Sequence, residues 1–207
     1  VIPRLFYITD SQRGSGGRDL REVVEQAQRG GVDAVIVRER ALSSAALGEL
    51  LLQLTPLRSS GLRVLVSRRC DMVRAFELDG VQLARDAVSV ATARTWLGPD
   101  CTIGYSAHTA PEARQAARDG ADYVTLSPIF ATGSKPGAPG QGLAWLREAL
   151  VGLQIPALAL GGVTAERTRE ILGAGAWGVA AVSAIGAACD IRGAAAEFRR
   201  AITEYTK

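Results

Sequence analysis

The sequence holds one histidine, His108, in the segment Gly104-Tyr105-Ser106-Ala107-His108-Thr109. Imidazole ordinarily titrates close to neutral pH, which suits it to proton transfer. The same segment also reads as a helix start, with Thr109 as N-cap and Glu112 three residues on. A catalytic histidine and a packed or capping one therefore compete for this position. Arg38 and Arg40 flank Glu39 in Val37-Arg38-Glu39-Arg40. Alternate residues of a strand share a face, so the two guanidiniums point together and need an anion. That anion is either Glu39, in a solvated cluster, or a ligand phosphate or carboxylate gripped by the planar fork. Arg68 and Arg69 precede Asp71; one of them pairs with it, and the other adds charge to a pocket.

Two short segments suit phosphate. Gly161-Gly162-Val163-Thr164 and Val182-Ser183-Ala184-Ile185 each lead from an apolar run into a helical pattern. Glycine lets backbone N–H groups approach an anion, and a helix start adds its own amides. Gly161, Gly162, Val182 and Ser183 are thus candidate phosphate ligands, with simple turn geometry as the alternative. Gln82 is polar within an apolar run and either meets a ligand or satisfies a neighbour. Ser106 lies near His108. Thr132, Ser134 and Lys135 belong to the Gly- and Pro-rich stretch 129–142 (IFATGSKPGAPGQG), long enough to close over a ligand.

The elements that must hold these residues alternate from end to end. Eight β-rich runs occur, at 4–9, 33–37, 63–67, 80–83, 102–105, 122–126, 156–160 and 178–182. Ala-, Leu-, Arg- and Glu-rich segments between them favour helix. Alternation implies parallel strands with right-handed crossovers. Eight units that use up the chain predict the α/β class, a parallel (β/α)8 (TIM) barrel as one domain over 1–207. The candidate residues then fall on loops at the C-terminal ends of the strands, where this fold carries its sites. A weak repeat (Gly31-Val32-Asp33, Gly120-Ala121-Asp122, Gly175-Ala176-Trp177 and a looser Leu78-Asp79) marks tight helix-to-strand turns at the opposite face, with a structural role.

The 207 residues are 47% hydrophobic with a formal charge of +3. The small, scattered excess excludes a nucleic-acid footprint. Cys70, Cys101 and Cys189 have neither disulfide-framework nor zinc spacing and read as small buried hydrophobes. No leader pattern or membrane-length apolar run is present, so the expectation is a cytoplasmic protein with no membrane partner. Trp96, Trp145 and Trp177 read as outer packing, with a homodimer left open.

The pattern resembles the thiamine phosphate synthase/TenI superfamily along nearly the whole chain. The carrying segments are Tyr7-Ile8-Thr9-Asp10, Val37-Arg38-Glu39-Arg40, Asp79-Gly80-Val81-Gln82-Leu83, Gly104 to Thr109, Pro128-Ile129-Phe130, Lys135-Pro136, Gly161 to Thr164 and Ala180 to Ile185. Synthases of this superfamily join a pyrimidine diphosphate to a thiazole phosphate and typically hold magnesium on two acidic residues. Here Arg68 and Ala87 stand at those places, with Asp86 one position early. The R-E-R and V-Q-L segments resemble the TenI branch more closely, whose characterised members are thiazole tautomerases. That resemblance implies an isomerase acting on a thiazole carboxylate phosphate. His108 would move the proton, Arg38, Arg40 or Arg68 would hold the carboxylate, and no metal or other cofactor would be required. The alternatives are a synthase with an altered diphosphate site, for which magnesium alone would be a cofactor, or a non-catalytic thiazole-phosphate-binding regulator. Ser134-Lys135-Pro136 resembles the synthase loop.

Overall fold

The computed structural model describes residues 1–12, 14–133, 137 and 139–206. Its eight strands are β1 (Leu5–Ile8), β2 (Ala34–Val37), β3 (Arg63–Ser67), β4 (Gly80–Leu83), β5 (Thr102–Ala107), β6 (Tyr123–Leu126), β7 (Ala157–Ala159) and β8 (Gly178–Ala181). Each pairs in parallel with the next, and β8 returns to β1 to close a (β/α)8 barrel. Helices follow as α1 (Leu20–Arg29), α2 (Ser44–Leu54), α3 (Cys70–Ala75), α4 (Val90–Leu97), α5 (Ala110–Arg118), α6 (Gly142–Leu150), α7 (Ala165–Gly173), the one-turn α8 (Ser183–Gly186) and α9 (Ile191–Tyr205). A 3₁₀ turn over 55–60 ends the second helical segment, where Pro56 cannot continue an α-helix.

Alternation along the strands sorts side chains into two apolar sets. Outward residues such as Leu5, Val35, Val64, Val81 and Val124 pack under the helices. Inward ones, among them Phe6, Ile36, Leu65, Tyr123 and Leu158, fill the barrel. Phe6 and Tyr123 meet there with ring centroids 5.2 Å apart. One register step toward the mouth, the filling turns polar. Gln82 accepts from the Tyr123 hydroxyl at 2.6 Å and donates to Ser106 Oγ at 3.0 Å and Thr125 Oγ1 at 3.4 Å. Gly104 makes the room, since a Cβ there would run into both Gln82 Oε1 and the Tyr123 ring.

The helix-to-strand turns carry more than tight geometry. Asp33, Asp79 and Asp122 each accept from backbone N–H groups of a neighbouring strand: Asp33 from Arg4 and Leu5, Asp79 from Val64 at 2.7 Å, Asp122 from Ile103 at 2.7 Å. Each is also paired with an arginine: Arg199, Arg58 and Arg94. Gly31 and Gly120 hold left-handed φ before Asp33 and Asp122, Gly175 does so before Trp177, and Glu77 takes that conformation before Asp79 without being glycine. Where the acid is missing, Arg4 instead stacks on Trp177 at 4.1 Å and donates to its carbonyl.

Of the cysteines, Cys70 is buried and Cys101 half-buried, whereas Cys189 is exposed. Cys189 therefore departs from the buried role expected of it, because it lies in the short exposed link between α8 and α9. Trp96, expected to be packed, is 47% exposed. No helix among the described residues is long and apolar enough to cross a membrane.

Candidate active site

Strand ends bring the described candidate residues to one mouth. β2 runs into Arg38, whose backbone N–H donates to Thr9 Oγ1 at 3.0 Å and whose Nη1 meets Asp10 Oδ2 at 2.9 Å. Glu39 is not the partner of the arginines. It faces the other side of the strand, nearly buried, where its Oε2 accepts from the Ser11 N–H at 3.0 Å. Arg40 is exposed and has no ion pair among the described residues. Burial, then the nearby Arg38 and Arg68 guanidiniums, lower its pKa from the ordinary arginine value, and Asp86 and Asp10 partly offset them.

After β3, Arg69 takes Asp71 at 2.6 Å. That frees Arg68 to reach across to Asp86 Oδ2, also at 2.6 Å. Arg68 sits in the left-handed region with φ 67°, a conformation that strains a non-glycine residue by about 1–2 kcal/mol. Asp10 and Asp86, the acids that organise this side, were absent from the expected site. Asp10 was within reach of sequence reasoning, because it continues the inward alternation of Phe6 and Ile8.

His108 follows β5 and is exposed. Its Nδ1 lies 2.8 Å from the Ser127 carbonyl oxygen. A carbonyl can only accept, so Nδ1 carries the proton and the neutral ring keeps its lone pair on Nε2. The capping expectation also holds: Glu112 N–H donates to Thr109 Oγ1, and Glu112 Oε2 accepts from the His108 N–H at 2.8 Å. One segment thus caps α5 and orients the imidazole. Gln82 and Ser106 are engaged with each other beneath the mouth, so Gln82 satisfies neighbours.

Across the mouth, Gly161 and Gly162 have φ 96° and 61°. They lie beneath the start of the loop after β6. The Phe130 N–H donates to the Gly161 carbonyl at 3.0 Å, and a Cβ on Gly162 would stand 2.5 Å from the Ala131 oxygen. Arg167 clamps the same turn, donating to the Gly162 carbonyl at 2.7 Å and stacking over Phe130 at 4.4 Å. Val182 precedes α8, which begins at Ser183; the first amides of a helix have no partner within it. Arg18 fixes the far end of α8 through the carbonyls of Gly186 and Ala188 at 2.8 and 2.9 Å. Thr132 is half-buried and engaged by a neighbour. Ser134 and Lys135 lie outside the described residues.

Magnesium, which the synthase resemblance implies, needs oxygen ligands and usually one or two free carboxylates. Among the described residues no group of three or more His, Cys, Asp and Glu side chains could hold a metal ion. Asp10 and Asp86 at the mouth are each already held by a guanidinium. This donor set does not fit a resident dication.

The fold and its mouth define a (β/α)8 barrel that gathers guanidiniums on the β2–β3 side and a diglycine turn with a helix start on the β7–β8 side. A family model described as "Thiamine monophosphate synthase" (TMP-TENI) matches residues 5–185. The thiamine-phosphate synthase of Chloroflexus aurantiacus is 40% identical over 202 residues, covering 97% of this chain and 93% of that protein. The thiamine-phosphate synthase of Roseiflexus castenholzii is 38% identical over 185 residues, covering 87% of this chain and 80% of that protein. The solved structure of the thiamine phosphate pyrophosphorylase from Pyrococcus furiosus superposes with a TM-score of 0.89 at 30% identity, covering 99% of this chain and 97% of that one. The chain belongs to the TMP-TENI family.

These relatives overturn the isomerase expectation. The tautomerase reading rested on Arg68, Ala87 and two short strand-end segments, whereas similarity to synthases extends over nearly the whole chain. The proton-transfer role given to His108 falls with that reaction.

Proposed function

We propose that the protein is a transferase of the thiamine-phosphate synthase type, joining a pyrimidine carried on a methylene diphosphate to a thiazole phosphate. The observation that carries this reading is the 38–40% identity to synthases over 87–97% of the chain. In the product, a methylene carbon links the pyrimidine to the thiazole nitrogen. The reaction is therefore a displacement: the carbon–oxygen bond to diphosphate breaks, diphosphate leaves with the electron pair, and the nitrogen lone pair forms the carbon–nitrogen bond.

Two anionic groups must be held apart with their reacting atoms facing each other. The thiazole phosphate suits the amides of Gly162 and Ser183 at the β7–β8 side, where φ-positive glycine bares the backbone. The diphosphate suits the arginine side, with Arg38 steadied by Asp10. No proton moves in the displacement, so His108 acts here as an oriented hydrogen-bonding group beside the reacting rings. Positioning two substrates in this way supplies much of the acceleration of such a step. Expression of the chain in a bacterium lacking its own synthase tests the reading. Growth without added thiamine is expected; failure to grow despite soluble, folded protein would contradict it.

A further inference from the structure

Among the described residues, the arginine side of the mouth holds three guanidiniums (Arg38, Arg40 and Arg68) against two carboxylates. Arg38 is matched by Asp10 and Arg68 by Asp86, while Arg40 has no ion pair among the described residues. Arg68 is held at both ends. Its backbone takes a left-handed conformation, its N–H donates to the Gln82 carbonyl at 2.9 Å, and its Nη1 is fixed by Asp86. Its buried Nε has no hydrogen-bond partner among the described residues. An unpartnered buried donor is costly, and a phosphate oxygen would satisfy it.

We propose that Arg68 and Arg40 bind the diphosphate leaving group directly, so that its departure needs no divalent cation. This rests on the synthase reading and departs from the metal that the family resemblance implies. As the carbon–oxygen bond breaks, the electron pair moves onto the diphosphate, and the guanidinium N–H groups meet the growing charge. The thiazole nitrogen supplies the replacing bond, so the step needs no oxidant, reductant or proton donor. A guanidinium presents five donors in a rigid fork that matches two phosphate oxygens at once. Asp86 is a positioning residue: it aims Arg68 and does not touch the ligand.

Calorimetric titration of the full chain with inorganic pyrophosphate in excess chelator tests this. Arg68→Asn removes the charge, and asparagine tolerates the left-handed backbone; Arg68→Lys keeps a charge without the fork. The expected result is binding by the unaltered chain in chelator, at least tenfold weaker binding by Arg68→Asn, and an intermediate affinity for Arg68→Lys. Coupling of the two substrates should likewise persist in chelator. Pyrophosphate binding that appears only with added magnesium, or that is equal in Arg68→Asn, would overturn the proposal. Coupling that proceeds only with magnesium would overturn it too, while leaving the synthase reading intact. A chain that makes no thiamine phosphate with or without magnesium would overturn the synthase reading itself, and this inference with it.

Discussion

Arg38, Glu39 and Arg40 are consecutive, and strand alternation alone decides which of them faces a ligand. The period of two put both arginines at the mouth, as the sequence suggested. It also turned Glu39 to the outer side, against the Ser11 N–H, which removes it as their counter-ion. Asp10 serves Arg38 instead; alternation along β1 places Asp10 at the mouth, but its pairing with a residue 28 positions away depends on the neighbouring strand. His108 shows the same limit. Its place after β5 and the cap at Thr109 were legible, but the Ser127 carbonyl that sets its tautomer comes from the segment just after β6. At this scale the structure predicts a sharp stability effect beneath the site. Gly104→Ala would force a methyl group against Gln82 Oε1 and the Tyr123 ring. Overpacking of this kind costs about 1–3 kcal/mol, to be read as a lowered urea midpoint; an unchanged midpoint would mean that the polar layer adjusts freely.

Elements divide the molecule into two faces with different duties. At the C-terminal face, the diglycine turn and α8 are held by groups from elsewhere: Phe130 and Arg167 on one, Arg18 on the other. Gly162→Ala would meet the Ala131 oxygen and Phe130 while forcing a left-handed backbone at φ 61°. The expected outcome is a fall of tenfold or more in affinity for thiazole phosphate, with far-ultraviolet circular dichroism unchanged. Unaltered affinity would remove this turn from the phosphate site. At the N-terminal face, Asp33, Asp79 and Asp122 bind strand amides and arginines together. The sequence displayed the recurring turn, and its glycines were legible as helix stops; the acid in three of the copies was the unread signal, because its partners lie on other strands. Asp122→Ala leaves the Ile103 N–H without its acceptor and removes the carboxylate paired with Arg94, which keeps only the carbonyls around it. A loss of about 1–3 kcal/mol follows, measurable by urea unfolding, with catalysis at the far end unaffected. Loss of activity at full stability would contradict this separation of faces.

At the scale of the whole molecule, eight alternating units were enough to foresee a closed parallel barrel, because parallel strands buried on both faces leave a strong apolar signature. The reaction was harder to read. Arg68 and Ala87, together with the Arg38-Glu39-Arg40 and Val81-Gln82-Leu83 segments, favour an isomerase, and similarity to synthases across the chain overturns that reading. Local substitutions alter how a charge is neutralised, whereas the proposed holding of one anion on each side of the mouth bears on which bond is made. The most direct measurement is phosphorus NMR of the purified chain mixed with the pyrimidine diphosphate and the thiazole phosphate. Pyrophosphate and thiamine phosphate are expected to grow in equal amounts as the diphosphate signal fades. Unchanged spectra over hours, with and without magnesium and with folded protein, would contradict the synthase reading.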